Sequence, residues 1–199
     1  NDGSGSFVEG VPPTAKNDSN RIALVDLNGD VDLDIVVANT GINRFYRNNG
    51  DGTFNVGSDI GNQDENTEAI VAGDLGGGNG NTDIVVINNG SSSRVVLDNG
   101  FGSYSTSSVL DGAMSSRHAA LGDLDADNDL DIVVANNDAV NRFYLNDGSG
   151  SFDAGTDIGA DAHASRSVTL IDIDGDGDLD LVVGNANQAN RLYLNETVS

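Results

Sequence analysis

Short apolar runs alternate with polar loops along the whole chain. The runs are four to seven residues long and rich in Val and Ile, and Gly, Asn and Asp bound them. Runs of this kind favour β-strands over helices, and no segment has a helical periodicity long enough to compete. The first stretch of the pattern predicts strands over 21–27, 33–39, 43–48 and 53–56. The chain is therefore predicted to be all-β.

The order strand, acidic loop, strand, polar loop, strand, glycine-rich turn, strand repeats about every 49 residues. The acidic loops begin at Asp26, Asp74, Asp123 and Asp172, with spacings of 48, 49 and 49 residues. The third strand of the unit reads Asn-Arg-Phe-Tyr or a close variant, beginning at Asn43, Asn141 and Asn190 and more weakly at Ser93. Repeats of about 40 to 50 residues with four antiparallel strands are typical of propeller blades.

One heptapeptide gives the phase of the repeat. The sequence Asn-Asp-Gly-Ser-Gly-Ser-Phe occupies residues 1–7 and recurs at 146–152, which indicates that the chain begins inside a unit. We predict a single domain, 1–199, with units 8–54, 55–104, 105–152, and 153–199 plus 1–7. Because the N-terminal segment can complete the fourth unit, we expect a β-propeller of four four-stranded antiparallel blades, with the termini closing the ring. A monomer is favoured, and the alternatives are a dimer forming a larger ring and part of a longer array of repeats.

The chain is strongly acidic. It carries 32 Asp and Glu against 9 Lys and Arg, a net charge of −23 at pH 7. Such a charge opposes binding to nucleic acid and to anionic membrane surfaces, and no run approaches the roughly 18 apolar residues that membrane insertion needs. The absence of cysteine excludes disulfides. Half of the acids, 16 of 32, lie in the four acidic loops, which indicates a local use for them.

The acidic loops have the spacing of a metal site. In a tight loop whose side chains alternate in direction, positions 1, 3, 5 and 9 can converge while position 7 offers its carbonyl oxygen. Hard oxygen donors in that number suit Ca²⁺, which takes about six to eight oxygens. The predicted ligands are Asp26, Asn28, Asp30, Asp32 and Asp34 in the first loop, Asp123, Asp125, Asp127, Asp129 and Asp131 in the third, and Asp172, Asp174, Asp176, Asp178 and Asp180 in the fourth.

The second loop departs from this pattern. It is one residue longer and has Gly76 where a ligand belongs. The donors that remain are Asp74, Asn79, Asn81 and Asp83, and we expect this site to be weak or empty. Three calcium ions are therefore expected, with a structural role.

The acidic loops, the Val-rich strands after them and the Asn-Arg-Phe-Tyr strand with its glycine-rich turn together resemble the FG-GAP or VCBS-type repeats of integrin α-chain propellers and many secreted bacterial proteins. The resemblance spans essentially the whole chain. It implies a β-propeller with calcium in the loop that joins the first two strands of each blade, and an extracellular or cell-surface location. Integrin propellers have seven such blades, whereas this chain has four repeats.

Recognition is expected at the end of the repeats opposite the acidic loops, where the sequence breaks the repeat. The candidate ligand face there consists of Arg117, His118, His163 and Arg166, placed in loops between blades. No catalytic residue is predicted, because no nucleophile or acid–base set stands outside the repeat. We expect a non-catalytic module that recognises another protein. A calcium-dependent lectin and a polysaccharide lyase are the alternatives, and the absence of Trp counts against the lectin.

Overall fold

The computed structural model describes residues 18–61, 64–76, 80–100, 102–110, 112 and 114–196. Over these residues the chain forms fifteen β-strands and no helix, which confirms the all-β prediction. The described part of the chain accordingly holds no helix that could cross a membrane. Residue Asn79 and the segment 1–7, both used in the predictions above, lie outside the described residues.

The strands fall into four groups that follow the sequence repeat. Group 1 contains β1 (Asp18–Val25), β2 (Asp34–Gly41), β3 (Arg44–Tyr46) and β4 (Ser58–Asp59). Group 2 contains β5 (Glu65–Gly73), β6 (Asp83–Ser91), β7 (Arg94–Asp98) and β8 (Tyr104–Val109). Group 3 contains β9 (Met114–Gly122), β10 (Asp131–Ala139), β11 (Arg142–Tyr144) and β12 (Thr156–Asp157). The described strands of group 4 are β13 (His163–Ile171), β14 (Asp180–Asn185) and β15 (Arg191–Tyr193).

Within each group the strands form an antiparallel meander, in which each strand pairs with the next one along the chain. In group 1, for example, Leu24 lies opposite Ile35, and Ile35 lies opposite Tyr46. Residues that lie opposite one another share a face of the sheet, and alternate residues point to opposite faces. Each group therefore presents two apolar faces to its surroundings.

Adjacent groups are joined edge to edge near one end of their strands. The last residues of β2 pair with the first residues of β5, and the same step joins β6 to β9 and β10 to β13. The groups thereby form one fifteen-stranded sheet. Among the described strands, β1 pairs only with β2 and β15 only with β14, so the sheet is open and differs from the predicted closed ring of four blades.

Three apolar cores fill the spaces between successive groups. The core between groups 1 and 2 includes Val36, Phe45, Ile70, Ile84 and Val86. The core between groups 2 and 3 includes Val85, Ile87, Val95, Ile132 and Val134. The core between groups 3 and 4 includes Val133, Ala135, Val168, Leu181 and Val183. Groups 2 and 3 are therefore covered by a core on both faces, whereas groups 1 and 4 are each covered on one face. This agrees with the open sheet, in which groups 1 and 4 are the two ends.

A polar network repeats at the end of the groups away from the acidic loops. In each group a Ser or Thr of the first strand donates to an Asn of the second, at 2.8–2.9 Å: Ser19 to Asn39, Thr67 to Asn88, Ser116 to Asn136 and Ser165 to Asn185. Adjacent groups are also linked, because Asn43 Nδ2 donates to Thr67 Oγ1 at 2.9 Å and Asn141 Nδ2 donates to Ser165 Oγ at 3.0 Å. The network satisfies polar groups that would otherwise be buried without partners.

Candidate metal sites

Each acidic loop joins the first and second strands of its group, as the repeat predicts. The loops 26–34, 123–131 and 172–180 are described throughout, and 74–83 is described except for 77–79. In the three complete loops the fourth and sixth positions have positive φ: Gly29 and Val31, Ala126 and Asn128, and Gly175 and Gly177. These left-handed residues turn the backbone tightly enough for the loop to close around its own side chains.

The first carboxylate of each loop accepts backbone N–H groups from across the turn. Asp26 Oδ1 accepts from Gly29 and Asp26 Oδ2 accepts from Val31, each at 2.7 Å. The bond from Val31 is the main reason that the pKa of Asp26 lies below its usual value. The same contact recurs from Asn128 to Asp123 at 3.0 Å and from Gly177 to Asp172 at 3.2 Å. Position 1 therefore shapes the loop as well as supplying oxygen atoms.

The last carboxylate of each loop is buried and anchors two backbone segments. The four residues at this position, Asp34, Asp83, Asp131 and Asp180, are each 0% exposed. For Asp131, one oxygen accepts the N–H of Leu124 and the other accepts the N–H of Asn146, both at 2.8 Å. The corresponding donors, at 2.8–3.0 Å, are Leu27 and Asn48 for Asp34, Leu75 and Asp98 for Asp83, and Ile173 and Asn195 for Asp180.

This last carboxylate, which we call the clamp carboxylate, ties the acidic loop to the end of the third strand. The sequence predicted it only as a metal ligand and missed the clamp. The signal that could have revealed it is the nearly constant separation between the carboxylate and its second donor, which is 14 residues in group 1 and 15 residues in groups 2, 3 and 4. Burial raises the pKa of Asp83 and Asp131, whereas the N–H bond from Ile173 is the main cause that lowers the pKa of Asp180.

In groups 3 and 4, three carboxylates per loop converge. Asp123, Asp125 and Asp131 each offer an oxygen, and these oxygens lie within 4.8 Å of one another. Asp172, Asp174 and Asp176 form the equivalent cluster in group 4. The carboxylates of Asp127 and Asp180, also predicted as ligands, do not belong to these clusters of the described residues.

The side chains at the seventh position of the first and third loops lie against the glycine-rich turn that follows. A Cβ atom at Gly50 would lie 2.7 Å from Asp32 Oδ2, and one at Gly148 would lie 2.5 Å from Asp129 Oδ2. The side chains of Asp32 and Asp129 thus pack against glycines of the following turn. Asp178 occupies the same position in the fourth loop. The use of the backbone oxygen at position 7 as a ligand stays a prediction.

The first and second loops lack a cluster of three acids among the described residues. In the first loop, Asn28 stands at position 3 and its Nδ2 donates to Asp30 Oδ2 at 2.8 Å, so the amide and the carboxylate are adjacent. In the second loop, Asp74 accepts the N–H of Gly76 at 3.1 Å and Asp83 serves as the clamp carboxylate.

The donor set of the two clusters fits Ca²⁺. Every side-chain donor is a carboxylate oxygen, and hard oxygen ligands suit Ca²⁺ better than softer metals. Two oxygens on one Ca²⁺ can lie no further apart than twice the metal–oxygen distance, about 4.6–5.2 Å, and the observed limit of 4.8 Å satisfies this. Desolvation and then the negative charge of a neighbouring Asp raise the pKa of Asp125 and of Asp174. A divalent cation would relieve this crowding of like charges.

The predicted ligand face lies on strands and not in loops. Arg117 and His118 belong to β9, and His163 and Arg166 belong to β13. His163 is only 9% exposed, and its Nδ1 lies 3.0 Å from the carbonyl oxygen of Asp161 while its Nε2 lies 3.2 Å from Arg191 Nη2. His163 is therefore a packed residue, which corrects its assignment to an open loop.

The other members of that face differ in accessibility. His118 is half-buried, and burial, followed by the charge of Arg21, lowers its pKa. Arg117 forms an ion pair with Glu68 of group 2, with Nη1 and Oε1 2.5 Å apart. Arg117 and Arg166 sit at β-bulges, and the equivalent bulge residues of groups 1 and 2 are Asn20 and Glu68. The bulge is thus a repeated position with a variable side chain.

Sequence comparison places this architecture in a family. FG-GAP-like repeats match the chain over residues 26–77, 78–134 and 123–183. The chain belongs to the FG-GAP-like repeat family. Each matched segment includes the acidic loop of at least one group. Comparison with curated proteins gives no match.

Solved structures share the fold of this FG-GAP-like chain. A lectin from Agrocybe aegerita that recognises non-reducing terminal N-acetylglucosamine aligns with a TM-score of 0.59 and 22% identity, over 87% of this chain and 51% of the lectin. The Tc holotoxin pore of Photorhabdus luminescens aligns with a TM-score of 0.50 and 18% identity, over 87% of this chain and 9% of that chain. The chain thus spans about half the length of the lectin. At these identities the likeness shows a propeller-like β fold alone.

Proposed function

We propose that this FG-GAP-like chain is a calcium-binding, non-catalytic β-propeller module of an extracellular or cell-surface protein. The observation that carries the proposal is the convergence of three carboxylates in each of two loops, around Asp125 and around Asp174, with oxygens within 4.8 Å. Ca²⁺ occupies these two sites. The first loop is a third site, in which Asn28 replaces one carboxylate, and the second loop binds weakly or not at all.

Calcium in this proposal is structural. The acidic loop joins the first two strands of a group, and the clamp carboxylate ties it to the third, so one ion stabilises the contact of three strands. At the affinity of extracellular modules, about 10⁻⁴–10⁻³ M, millimolar calcium lies about one to ten times above the dissociation constant. Linkage then gives about 0.4–1.4 kcal/mol per site. Three sites would add about 1–4 kcal/mol, a large share of the roughly 5–15 kcal/mol of a typical domain.

Thermal unfolding in millimolar Ca²⁺ and in EGTA tests this role. We expect the Tm to fall by several degrees in EGTA, because about 1 kcal/mol shifts the Tm of a domain of this size by about 2–4 °C. Mg²⁺ at the same concentration should restore little, because it demands a near-ideal octahedral site. An unchanged Tm in EGTA would contradict the proposal.

Single substitutions locate the effect. Asp125→Asn and Asp174→Asn should each reduce the calcium-dependent part of the Tm. Asp161→Asn makes the same change of charge at an exposed residue outside the acidic loops, and it should leave the calcium response at the wild-type level. An equal loss in all three variants would indicate a general effect of charge.

The polar end of the groups is the proposed recognition surface, and its partner is a protein. What supports this is the row of bulge residues: the surrounding Ser–Asn network is constant, while the bulges carry Asn20, Glu68, Arg117 and Arg166. Bulges redirect side chains and are frequent at functional edges of sheets. The non-catalytic assignment is supported by His163, whose ring is held by Asp161 and Arg191.

A glycan array discriminates the protein-binding proposal from the lectin alternative. The lectin alternative draws on calcium loops and on a fold shared with a sugar-binding protein. Calcium-dependent signals for a defined glycan would favour it, and we expect none. Substituting Arg166 by Ala, together with Arg117 by Ala, should then weaken capture of the protein partner from culture medium or cell surface, with the calcium response unchanged.

A further inference from the structure

The outer faces of groups 1 and 4 are apolar and exposed. The outer face of group 1 is formed by Ile22, Leu24, Ile35 and Val37, and Ile22 and Leu24 are 62% and 61% exposed. The outer face of group 4 is formed by Thr169, Ile171, Val182 and Leu192, and Ile171 and Leu192 are 50% and 51% exposed. At the equivalent positions of groups 2 and 3, the apolar side chains pack into the cores between groups. The two outer faces are therefore the two halves of one more interface of the same kind.

Hydrogen-bonding groups at the two ends also correspond. Between groups, a polar-loop Asn donates to the Ser or Thr of the following group, as in Asn43 to Thr67 and Asn141 to Ser165. At the same repeat positions, group 4 presents Asn190 and group 1 presents Ser19, both exposed. The end of group 4 thus offers the donor, and the start of group 1 offers the acceptor.

A second link between groups runs in the opposite direction. Asn146 Nδ2 donates to the carbonyl of Leu75 in the preceding group at 3.0 Å, and Asn195 Nδ2 donates to the carbonyl of Leu124 at 2.9 Å. By repeat position the next pair is Asn48 of group 1 and the carbonyl of Ile173 in group 4, and Ile173 is 47% exposed. The outer ends of group 4 and group 1 therefore carry the same hydrogen-bonding groups and apolar faces that join adjacent groups within the chain.

An apolar cavity of about 320 Å³ opens between groups 3 and 4. Its lining includes Val133, Phe143, Leu170, Leu181, Tyr193 and Leu194. At the equivalent place between groups 2 and 3, Phe152 packs against the core, and Tyr104 does so between groups 1 and 2. In both of these contacts, the space between the groups is thus occupied by an aromatic side chain that follows a glycine-rich turn.

The chain carries a second copy of the segment that brings Phe152 to its place. Residues 1–7 have the same sequence as residues 146–152, and Gly10 follows Phe7 as Gly155 follows Phe152. In group 3 this segment crosses to group 2, where Ser149 bridges to Gly76. A Cβ atom at Gly155 would collide with the ring of Tyr144, so only glycine fits there. Tyr193 is the counterpart of Tyr144 and lines the cavity.

We propose that copies of this chain associate head to tail. Residues 1–10 of one copy complete group 4 of a second copy, with Phe7 in the apolar cavity and Gly10 over Tyr193. The outer face of group 1 of the first copy packs on the outer face of group 4 of the second. Such a heterologous contact builds a closed ring when its rotation closes, and otherwise an open chain of copies.

By repeat position, segment 1–10 belongs to the unit before group 1, and group 4 of a second copy can take the place of that unit. Gly155 precedes the first residue of β13 by eight positions, and Gly10 precedes the first residue of β1 by eight. Segment 1–10 therefore belongs to the group next to β1. In the described structure group 4 of the same chain is not next to β1, because Ile22 and Leu24 are exposed and β1 pairs only with β2.

One position of this contact differs from two of the three internal contacts. A Cβ atom at Gly73 would lie 2.8 Å from Leu130, and one at Gly122 would lie 2.6 Å from Leu179. At the two ends the corresponding residues are Ile171 and Leu33. The end contact therefore places Ile171 against Leu33, where the contacts between groups 2 and 3 and between groups 3 and 4 place glycine against leucine.

Light scattering and a single fluorophore test the proposal on the full chain. The chain has no Trp, so Phe7→Trp introduces the only one. We expect a mass at least twice that of one chain, and a Trp emission as blue-shifted as that of the matched variant Phe152→Trp. Two double variants carry Phe7→Trp together with Leu194→Asp in the cavity or with Leu24→Asp on the outer face of group 1. Each should be a monomer with red-shifted Trp emission. Val56→Asp, at a residue 91% exposed and outside both surfaces, should change neither reading.

Two results would overturn the proposed head-to-tail association. A monomer with blue-shifted emission would mean that the segment binds within its own chain, and a monomer with red-shifted emission would mean that the cavity does not take it. Either result overturns the proposal. Far-ultraviolet circular dichroism and the calcium-dependent Tm of each variant show whether it is folded, so that loss of association is read only on folded protein.

Discussion

Replacing Asp131 by Asn separates the two roles of the clamp carboxylate. Asp131 is 0% exposed, and its oxygens accept the N–H groups of Leu124 and Asn146, both at 2.8 Å. Asparagine keeps the size of the side chain but has one carbonyl oxygen, so one of these N–H groups would face an NH₂ group. A buried donor left without an acceptor costs about 1–3 kcal/mol.

This cost does not depend on calcium. Asp131→Asn is expected to lower the free energy of unfolding by about 1–3 kcal/mol in EGTA, and calcium adds a further loss of about 0.4–1.4 kcal/mol because a ligand is also removed. Burial raises the pKa of Asp131, so the substitution also removes the cost of burying a charge, which favours the lower half of the range. Asp125→Asn changes an exposed carboxylate and should lose only the calcium contribution.

Urea denaturation followed by circular dichroism, with each variant in millimolar Ca²⁺ and in EGTA, measures these differences. We expect Asp125→Asn to be at least as stable as the wild type in EGTA, because it removes one of the crowded carboxylates, and to be less stable than the wild type in Ca²⁺. Asp131→Asn should be less stable than the wild type in both conditions. Wild-type stability of Asp131→Asn in EGTA would refute the clamp. Equal destabilisation of Asp125→Asn in both conditions would refute its role as a calcium ligand.

Three further predictions concern backbone strain in the first loop and the contacts between groups. Val31 has a φ of 76°, a left-handed conformation that costs a non-glycine residue about 1–2 kcal/mol. Relief of this strain outweighs the roughly 0.4–1 kcal/mol entropic cost of glycine, so Val31→Gly should raise the urea midpoint. The control Val56→Gly should lower the urea midpoint. Asn146→Ala removes two bonds to carbonyl oxygens, at 3.0 and 3.1 Å, and should cost about 1–2 kcal/mol in the same assay; no loss would speak against the link between groups. A double-mutant cycle on Glu68 and Arg117 should give a coupling of about 0.5–1 kcal/mol, and a value near zero would show that the ion pair does not join groups 2 and 3.

The repeat and its strands could be predicted from sequence because their determinants are local. The Val-rich run after each acidic loop, as in Ile35 to Ala38, alternates its side chains between the two faces of the sheet, and turn-forming residues bound it. Positions 1, 3 and 5 of the loops were predicted from spacing alone, and in group 4 the structure brings all three together at Asp172, Asp174 and Asp176. Patterns that repeat within nine residues carry enough information for such a site.

Long-range features could not be predicted in the same way. The clamp of Asp131 on Asn146 depends on the register of β10 and β11, which fixes where the third strand ends. The burial of His163 depends on Arg191, 28 residues away, so its sequence neighbours gave no sign of it. The open sheet depends on how far each group rotates relative to the next, and a repeat that specifies the group does not specify that angle.

The central claim is that the acidic loops hold calcium, and calorimetric titration of Ca²⁺ into the EGTA-treated and dialysed chain tests it most directly. We predict saturable binding at two or more sites at up to millimolar Ca²⁺, with one site lost in Asp125→Asn and another lost in Asp174→Asn. No saturable binding in this range, or the same number of sites in all three proteins, would contradict the claim.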